Sequence, residues 1–466
     1  MILAIDCGST NHKIALYNAE LHCLGAGARP VEYTVRDAVR VEFDPEKTWQ
    51  DTVGLIRQVC AQAGVSPAQI RCIAIASQAQ TFTLLDAGGR PLMPCISWMD
   101  KRPAAEAAEL TRRLGRDFHR HCSFPAPIPQ LQLSKLLWLA HHQPDLLKRA
   151  ATVAALPGFL ARRLAGVYAG DNNLAAMSGL YSLAAGDWRP AALEICGLQR
   201  GQMCRLTQVG AAVPAQSGCR DLDLAPDVKI IFAGNDQTAG AYAAAGQSRQ
   251  VVLTLGTALV VYRFAGATPG PYHALGCWGP YPGGGYYELT TRDEGCAALD
   301  WAMGCLLPGM PPAAALAACL PAAAAAAPGA ALFYPGRIRA GQAWIGAADP
   351  AARARAVLEG ICFSARQLLE EDLGMPLDGA PLTLAGGGSN NPFWLQIFAD
   401  VCNCPVQTGA SDVLLGAAML ARPGVAPPAR PAGALVMPDP RLAPDYARIY
   451  HSWRTRQPPG GPALDN

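Results

Sequence analysis

Apolar residues fall along the chain in short blocks separated by glycine-bearing turns. Ile2 to Asp6 is the first block, Gly8-Ser9-Thr10 the turn after it, and Ile14 to Tyr17 the second block; together they predict a β-hairpin. The pattern returns near residue 251, where Val251 to Leu255, Gly256-Thr257 and Leu259 to Tyr262 follow one another. Two lobes built on one plan would produce that, with a boundary near residue 246: an N-terminal lobe over 1–246 and a C-terminal lobe over 247–466. Further apolar blocks predict strands at Cys72 to Ser77, Thr81 to Leu85, Val228 to Phe232 and Leu382 to Leu384. Helical spacing predicts helices at Pro103 to Leu114, Leu131 to His142, Thr238 to Ala245, Arg353 to Glu371 and from about Pro392 to Val401. Mixed strands and helices in this order indicate α/β layers. The alanine tract from Pro311 to Pro328, interrupted by Pro321, predicts two short surface helices. The proline-rich stretch from Pro423 to Pro440 is expected to wrap the surface, and the residues from Gln457 to fray.

Composition narrows the class. Hydrophobic residues make up 51% of the 466 positions and charged residues 16%, too apolar for a disordered chain. A formal net charge of +2 argues against a strongly basic nucleic-acid binder. No uninterrupted apolar run is long enough to predict a membrane span. Met1 opens directly into Ile2, Leu3, Ala4 and Ile5, so a cytoplasmic protein with reduced thiols is expected. The sixteen cysteines contain no CxxC pair; Cys402 and Cys404 have no second pair to complete a zinc site, and residues such as Cys72 and Cys362 read as core. His119-Arg120-His121-Cys122 has metal-like letters without a remote partner set, and His141-His142 reads as a solvated helix end. No Gly-x-Ser-x-Gly elbow supports serine hydrolysis.

Four glycine turns that leave strands are the candidate chemistry. Asp6-Cys7-Gly8-Ser9-Thr10, with Lys13 beyond, could hold Mg²⁺ through water while turn amides and hydroxyls face phosphate; the plainer reading is that Asp6 caps a hairpin. Gly256-Thr257 would suit a terminal phosphate, or be an ordinary turn; two facing hairpins could clamp one triphosphate. Gly386-Gly387-Gly388-Ser389-Asn390-Asn391 could let a flat ring or a phosphate lie on the backbone, or be a flexible βα loop. Asp236, in Gly234-Asn235-Asp236-Gln237, is either a helix N-cap or a general base.

Taken in order, these residues resemble the FGGY carbohydrate kinases, which phosphorylate sugars and polyols with ATP. The resemblance rests on Asp6 to Thr10 with Lys13; Ile75-Ala76-Ser77-Gln78; Ile96-Ser97-Trp98-Met99-Asp100-Lys101-Arg102; and Leu133-Ser134-Lys135-Leu136-Leu137-Trp138-Leu139. It continues through Leu156 to Gly166, Asp171 to Met177, Gly234 to Gln237, Leu255-Gly256-Thr257, Leu358-Glu359-Gly360-Ile361, Gly386 to Asn391 with Trp394, Gln396, Ala399 and Asp400, and Gly416-Ala417-Ala418. These matches run from residue 2 to about 421.

The resemblance implies an α/β, two-lobed, actin-like ATPase (ribonuclease H-like) fold with a central cleft. Sugar would bind mainly to the first lobe and adenine to the second. It implies ATP and Mg²⁺ as cofactors, with Asp6 holding the metal. Gly8, Ser9, Thr10, Lys13, Gly256, Thr257, Gly386, Gly387, Gly388 and Asn391 would meet the nucleotide. Gln78, Gln80, Trp98, Asp100, Asp236 and Gln237 would meet a small sugar or polyol, pentulose- or hexulose-like. Asp236 would be the general base. No nucleic acid or membrane partner is implied, and members of the family are often homodimers. Two departures stand out: Gln78-Ala79-Gln80 stands where the family often has Gln-Met-His or Gln-Arg-Glu, so Ala79 offers no hydrogen bond and Gln80 is neutral, and Ala258 stands where Ser usually follows the Gly-Thr turn. A catalytically weak sugar-binding or regulatory member of the same fold is the alternative, and an actin-like ATPase that uses water is a third reading.

Overall fold

The computed structural model describes residues 1–115, 118–245, 251–270, 273, 276–377, 379–428 and 435–456. These form two compact units. The first comprises Met1–Gly246, Phe264–Glu288 and Ser411–Arg430; the second comprises Gln247–Arg263, Leu289–Ala410 and Pro431–Asn466. The expected boundary near 246 lies outside the described residues, and two later segments belong to the first unit.

A six-stranded sheet organises the first unit, in the order Ala212–Pro214, Lys229–Asn235, Cys72–Ser77, Ile2–Cys7, Asn11–Tyr17 and Cys23–Pro30. Ile2–Cys7 pairs antiparallel with Asn11–Tyr17, which closes the expected hairpin, and parallel with Cys72–Ser77. Every residue of Ile2–Cys7 is buried, as a central strand covered on both faces requires. Leu55, Ile56 and Val59 of helix Pro45–Ala63 and Phe159, Leu160 and Leu164 of helix Leu156–Ala165 share its core. A five-stranded sheet, ordered Tyr33–Arg36, Val41–Phe43, Cys95–Ile96, Phe82–Leu85 and Thr152–Ala155, packs with helix Gln132–His142 through Phe82, Leu84, Leu133, Leu136 and Leu137.

The second unit repeats the local plan. Val251–Leu255 pairs antiparallel with Leu259–Gly266 and parallel with Leu382–Ala385, which in turn pairs parallel with Val406–Thr408. The helix expected over Arg353 to Glu371 runs as Pro350–Gln367 and ends in a π-helical turn, Leu368–Asp372. The alanine tract departs from expectation: it is one helix, Pro312–Ala325, with Pro321 inside it. Alanine's high helix propensity on both sides outweighs one lost backbone bond, and Pro321 is exposed, so water can serve the freed carbonyl. The descriptions offered for the tail from Gln457, and for 429–434 within the proline-rich stretch, lie outside the described residues. Among the described residues no helix is long and apolar enough to cross a membrane.

Helices Asp236–Ala245 and Val413–Leu420 of the first unit meet backbone to backbone. A Cβ on Gly416 would lie 1.8 Å from the Ala239 carbonyl oxygen, whereas one on Gly54, at an exposed position of helix Pro45–Ala63, meets nothing within 4 Å. Gly416→Ala should therefore lower the thermal midpoint, by about 1–3 kcal/mol of stability or more. Gly54→Ala should hold or raise it, by up to about 1 kcal/mol. Calorimetric unfolding of the two variants checks the contrast; equal effects would refute the close-packed reading of Gly416.

Candidate functional site

Strands Lys229–Asn235, Cys72–Ser77 and Ile2–Cys7 lie side by side and run the same way, so their C-terminal ends share one edge. Asp6, Gln78 and Asp236 sit at those three ends, where parallel sheets place their ligand sites. Gly234 supplies the bend before Asp236. Its φ is 76°, the strand register shifts between Phe232 and Asn235, and a Cβ there would fall 2.8 Å from Asn173 Oδ1. Asn173 locks the bend: its Oδ1 accepts from the Asn235 backbone N–H at 3.0 Å and from Asn235 Nδ2 at 2.9 Å. Asn235 Oδ1 then accepts from the Thr238 N–H at 2.8 Å and caps the helix. Capping thus falls to Asn235. Asp236 is left half-buried at the strand end, its Oδ1 accepting from the Gln237 N–H at 2.9 Å.

The electrostatics of this edge are crowded. Asp6 is buried; Lys13 Nζ donates to its Oδ2 at 3.3 Å, while its Oδ1 is buried with no hydrogen-bond partner. Burial raises the Asp6 carboxyl, Lys13 opposes that, and the nearby Asp412 raises it further. Burial, and then the charge of Asp6, push Asp236 up to about 6; the helix-start N–H groups and Lys13 pull the other way. Lys13 is the positive group that serves both carboxylates.

The residues expected to meet a sugar divide into two sets. Trp98 is 40% exposed, and Gln237 is half-buried beside Asp236. The amide of Gln78 is engaged internally: its Nε2 donates to the Gly8 carbonyl at 3.2 Å and its Oε1 accepts from Thr81 Oγ1 at 3.1 Å. Thr81 Oγ1 also accepts from the Trp98 backbone N–H at 3.0 Å. Gln80 has φ 63° and donates from Nε2 to the Met177 carbonyl at 3.3 Å. Asp100 is fully buried, and its carboxylate accepts from Arg102 at 2.6–3.2 Å and from the Val41 N–H at 2.9 Å. It shapes the Trp98 loop and presents no open oxygen to a ligand. Arg102 continues to Glu42 at 2.5 Å and stacks over Trp138 at 5.0 Å.

In the second unit the Thr254↔Ala385 pairing brings the Gly256-Thr257 turn and the Gly386–Gly388 loop out at the same end of two parallel strands. The Gly256 and Thr257 carbonyls accept from the Cys296 and Ala297 N–H groups at 2.7 and 3.2 Å, and the Thr257 side chain is exposed. Gly386 has φ 90°, and a Cβ on it would lie 2.5 Å from the Leu255 carbonyl oxygen; one on Gly388 would strike Trp394 at 2.8 Å. Gly387 is exposed, with nothing within 4 Å of its Cβ position. Asn391 caps helix Pro392–Cys402, its Oδ1 accepting from the N–H groups of Phe393 and Trp394.

Several residues of the site carried no strong signal in the sequence. Asp412 caps a helix far along the chain yet biases Asp6. Asn173 lies in a segment noted only for its resemblance. Among the described residues no group of three or more His, Cys, Asp or Glu could hold a metal, which includes the His119–Cys122 run; His119 instead bonds the Gly276 carbonyl and His121 bonds Ser182.

Comparison with known proteins gives one family. A model of the N-terminal domain of the FGGY family of carbohydrate kinases matches residues 1–243, and its C-terminal counterpart matches 251–422. Xylulose kinase of Escherichia coli (strain K12) is 28% identical over 443 residues, spanning 91% of this chain and 90% of that protein. The crystal structure of xylulose kinase from Rhodospirillum rubrum superposes with a TM-score of 0.86 at 23% identity, over 97% of each chain. Plasmodium falciparum glycerol kinase with ADP superposes at 0.81 and 17% identity, over 99% of this chain and 98% of that one. These structural likenesses establish the fold, the α/β actin-like ATPase fold.

The charge arrangement gives a titration to measure. Asp236 should titrate near 6 by carboxyl-detected NMR. Asp6→Asn should lower that midpoint by removing a negative neighbour, and Lys13→Met should raise it. A raised carboxyl stabilises the fold while protonated and loses that contribution as pH rises through its folded value. Asp236→Asn should therefore melt above the parent at pH 8 and level with it below about pH 4. A lower melting point at pH 8 would contradict the desolvated carboxylate.

Proposed function

The chain belongs to the FGGY family of carbohydrate kinases, and on that premise we propose that it transfers the γ-phosphoryl group of ATP to a hydroxyl of a small pentulose- or hexulose-like sugar or polyol, with Asp236 as general base. The observation that carries the reading is a half-buried carboxylate at a parallel strand end, raised to about 6 and so ionised at neutral pH. A base tuned to that value accepts the hydroxyl proton as the bond to phosphorus forms. The phosphoryl transition state is loose, so positioning and charge neutralisation carry more of the barrier than proton removal does. The kinase fold of the relatives supports ATP, and the name of the 28%-identical relative supports a ketopentose among the acceptors.

Mg²⁺ is the second cofactor we assign. The buried, unpartnered Oδ1 of Asp6 fits a hydrated cation. Without a three-residue protein cage among the described residues, other ligands would come from water and phosphate. When bound, the ion would neutralise charge on the phosphate oxygens. Gly8, Ser9, Thr10, Lys13, Gly256 and Thr257 are the residues we assign to phosphate. Gly386, Gly387, Gly388 and Asn391 are assigned to the adenosine half. Gln78, Gln80, Trp98, Asp236 and Gln237 form the acceptor side, with Asp100 behind them.

ADP release with Mg·ATP, measured against a panel of ketoses, aldoses, deoxysugars and polyols, tests this. One compound should stimulate turnover, and Asp236→Asn should cut kcat by about 10²–10⁴-fold. kcat/KM should fall as pH drops below about 6, where the base is protonated. Nucleotide binding without stimulated turnover would favour the regulatory alternative, and equal ADP release with and without sugar would favour the ATPase. Because Gly387 is exposed with open space at its Cβ, Gly387→Trp should fold and raise the KM for ATP more than that for the acceptor. The reverse order would move the adenosine site elsewhere.

A further inference from the structure

Lys135 is the residue whose burial the proposed reaction leaves unexplained. It lies on helix Gln132–His142, is 1% exposed, and is among the largest fully buried side chains. Its Nζ donates to the Ser97 carbonyl at 2.7 Å and to the Gln80 carbonyl at 3.2 Å. Those carbonyls belong to separate loops. One follows strand Cys72–Ser77 and carries Gln80; the other immediately precedes Trp98. A second tie runs in parallel, since Thr81 Oγ1 accepts from the Trp98 N–H at 3.0 Å and donates to Gln78.

We propose that Lys135 is a positioning residue that sets acceptor recognition: it fastens the Gln80 loop to the Trp98 loop and never touches the acceptor itself. The inference rests on the reading that Gln80 and Trp98 face the acceptor. Three physical points carry it. Gln80 adopts φ 63°, a conformation uncommon for a residue with a side chain, and needs surrounding contacts to hold it. If Lys135 were apolar, the Gln80 carbonyl would lose this donor and the Ser97 carbonyl would keep only the Asp100 N–H at 3.1 Å, and an under-satisfied buried carbonyl is costly. Finally, burial pulls the Lys135 ammonium down to about 7, with Arg102 acting in the same sense and Asp100 opposing it. Losing one proton leaves an amine with two N–H donors for two carbonyls, so the clasp survives in either charge state. Arginine has a fork too wide for that task.

The test compares Lys135→Met, Thr81→Val, Gln80→Ala and Trp98→Ala in the full chain, with a separate KM for the best acceptor and for ATP. Lys135→Met should raise the acceptor KM on the order of tenfold, because the Gln80 and Ser97 carbonyls lose their shared donor, with the ATP KM changed less than about twofold. Thr81→Val, which keeps shape and removes the second tie, should show the same split more weakly, and it serves if Lys135→Met does not fold. Lys135→Arg should not restore the acceptor KM. Equal rises in both KM values, or none, in Lys135→Met and Thr81→Val would overturn the inference while leaving the acceptor reading intact. An unchanged acceptor KM in both Gln80→Ala and Trp98→Ala would overturn that reading and the inference with it.

Discussion

Negative charge held at the edge of a covered parallel sheet is the constraint on which the first unit is built. Strands Ile2–Cys7 and Lys229–Asn235 flank Cys72–Ser77, and their shared direction places Asp6 and Asp236 at the same edge. Two carboxylates that repel each other would protonate or pull apart in a dehydrated setting. Lys13, on the return strand of the first hairpin, offsets both in part. The offset is incomplete, and the Asp236 carboxyl stays raised, at about 6. The hairpin is therefore electrostatic equipment as much as part of the sheet.

Around that pair the chain spends much of its buried polarity on holding loops. Asn173 fixes the Gly234 bend, Asn235 caps the helix, and Asp100 with Arg102 shapes the Trp98 loop. Gln78 links the Gly8 turn to Thr81, and Thr81 links onward to Trp98. A polar group satisfied inside a loop has fewer lone pairs or protons to offer a ligand. Polar residues near the site are thus poor guides to what touches substrate unless their partners are counted.

This explains what the sequence could and could not reveal. Both hairpins, the parallel strands and the glycine turns were legible, because short apolar blocks and Gly carry local backbone physics. Asp6, Asp236 and the Gly386–Gly388 loop were legible by their place at strand ends. The capping role split between Asn235 and Asp236 was not, since either residue type can cap and only the bulge decides. Asp412 was invisible because its effect on Asp6 depends on a helix joined from far along the chain. Asp100 read as a sugar contact because its motif resembled one, but its burial is a tertiary fact. Pro321 misled in the opposite way: a local breaker lost to an alanine-rich context.

The division between holding and touching also bears on how such a protein chooses its acceptor. With the Gln78 amide engaged and Asp100 sealed in, the residues assigned to the acceptor that keep open surface are Trp98, Asp236 and Gln237, while Gln80 is buried. Ala79 adds no hydrogen bond. An aromatic face and few fixed polar groups recognise shape and C–H surface more than a full hydroxyl pattern. A site built around many hydroxyls would reject a lacking analogue steeply, whereas a site with few such contacts discriminates by smaller steps. On the proposed reading, selectivity would depend on where the loops hold Trp98 relative to Asp236. The Trp98 loop is held by buried hydrogen bonds whose pairings no motif spells out.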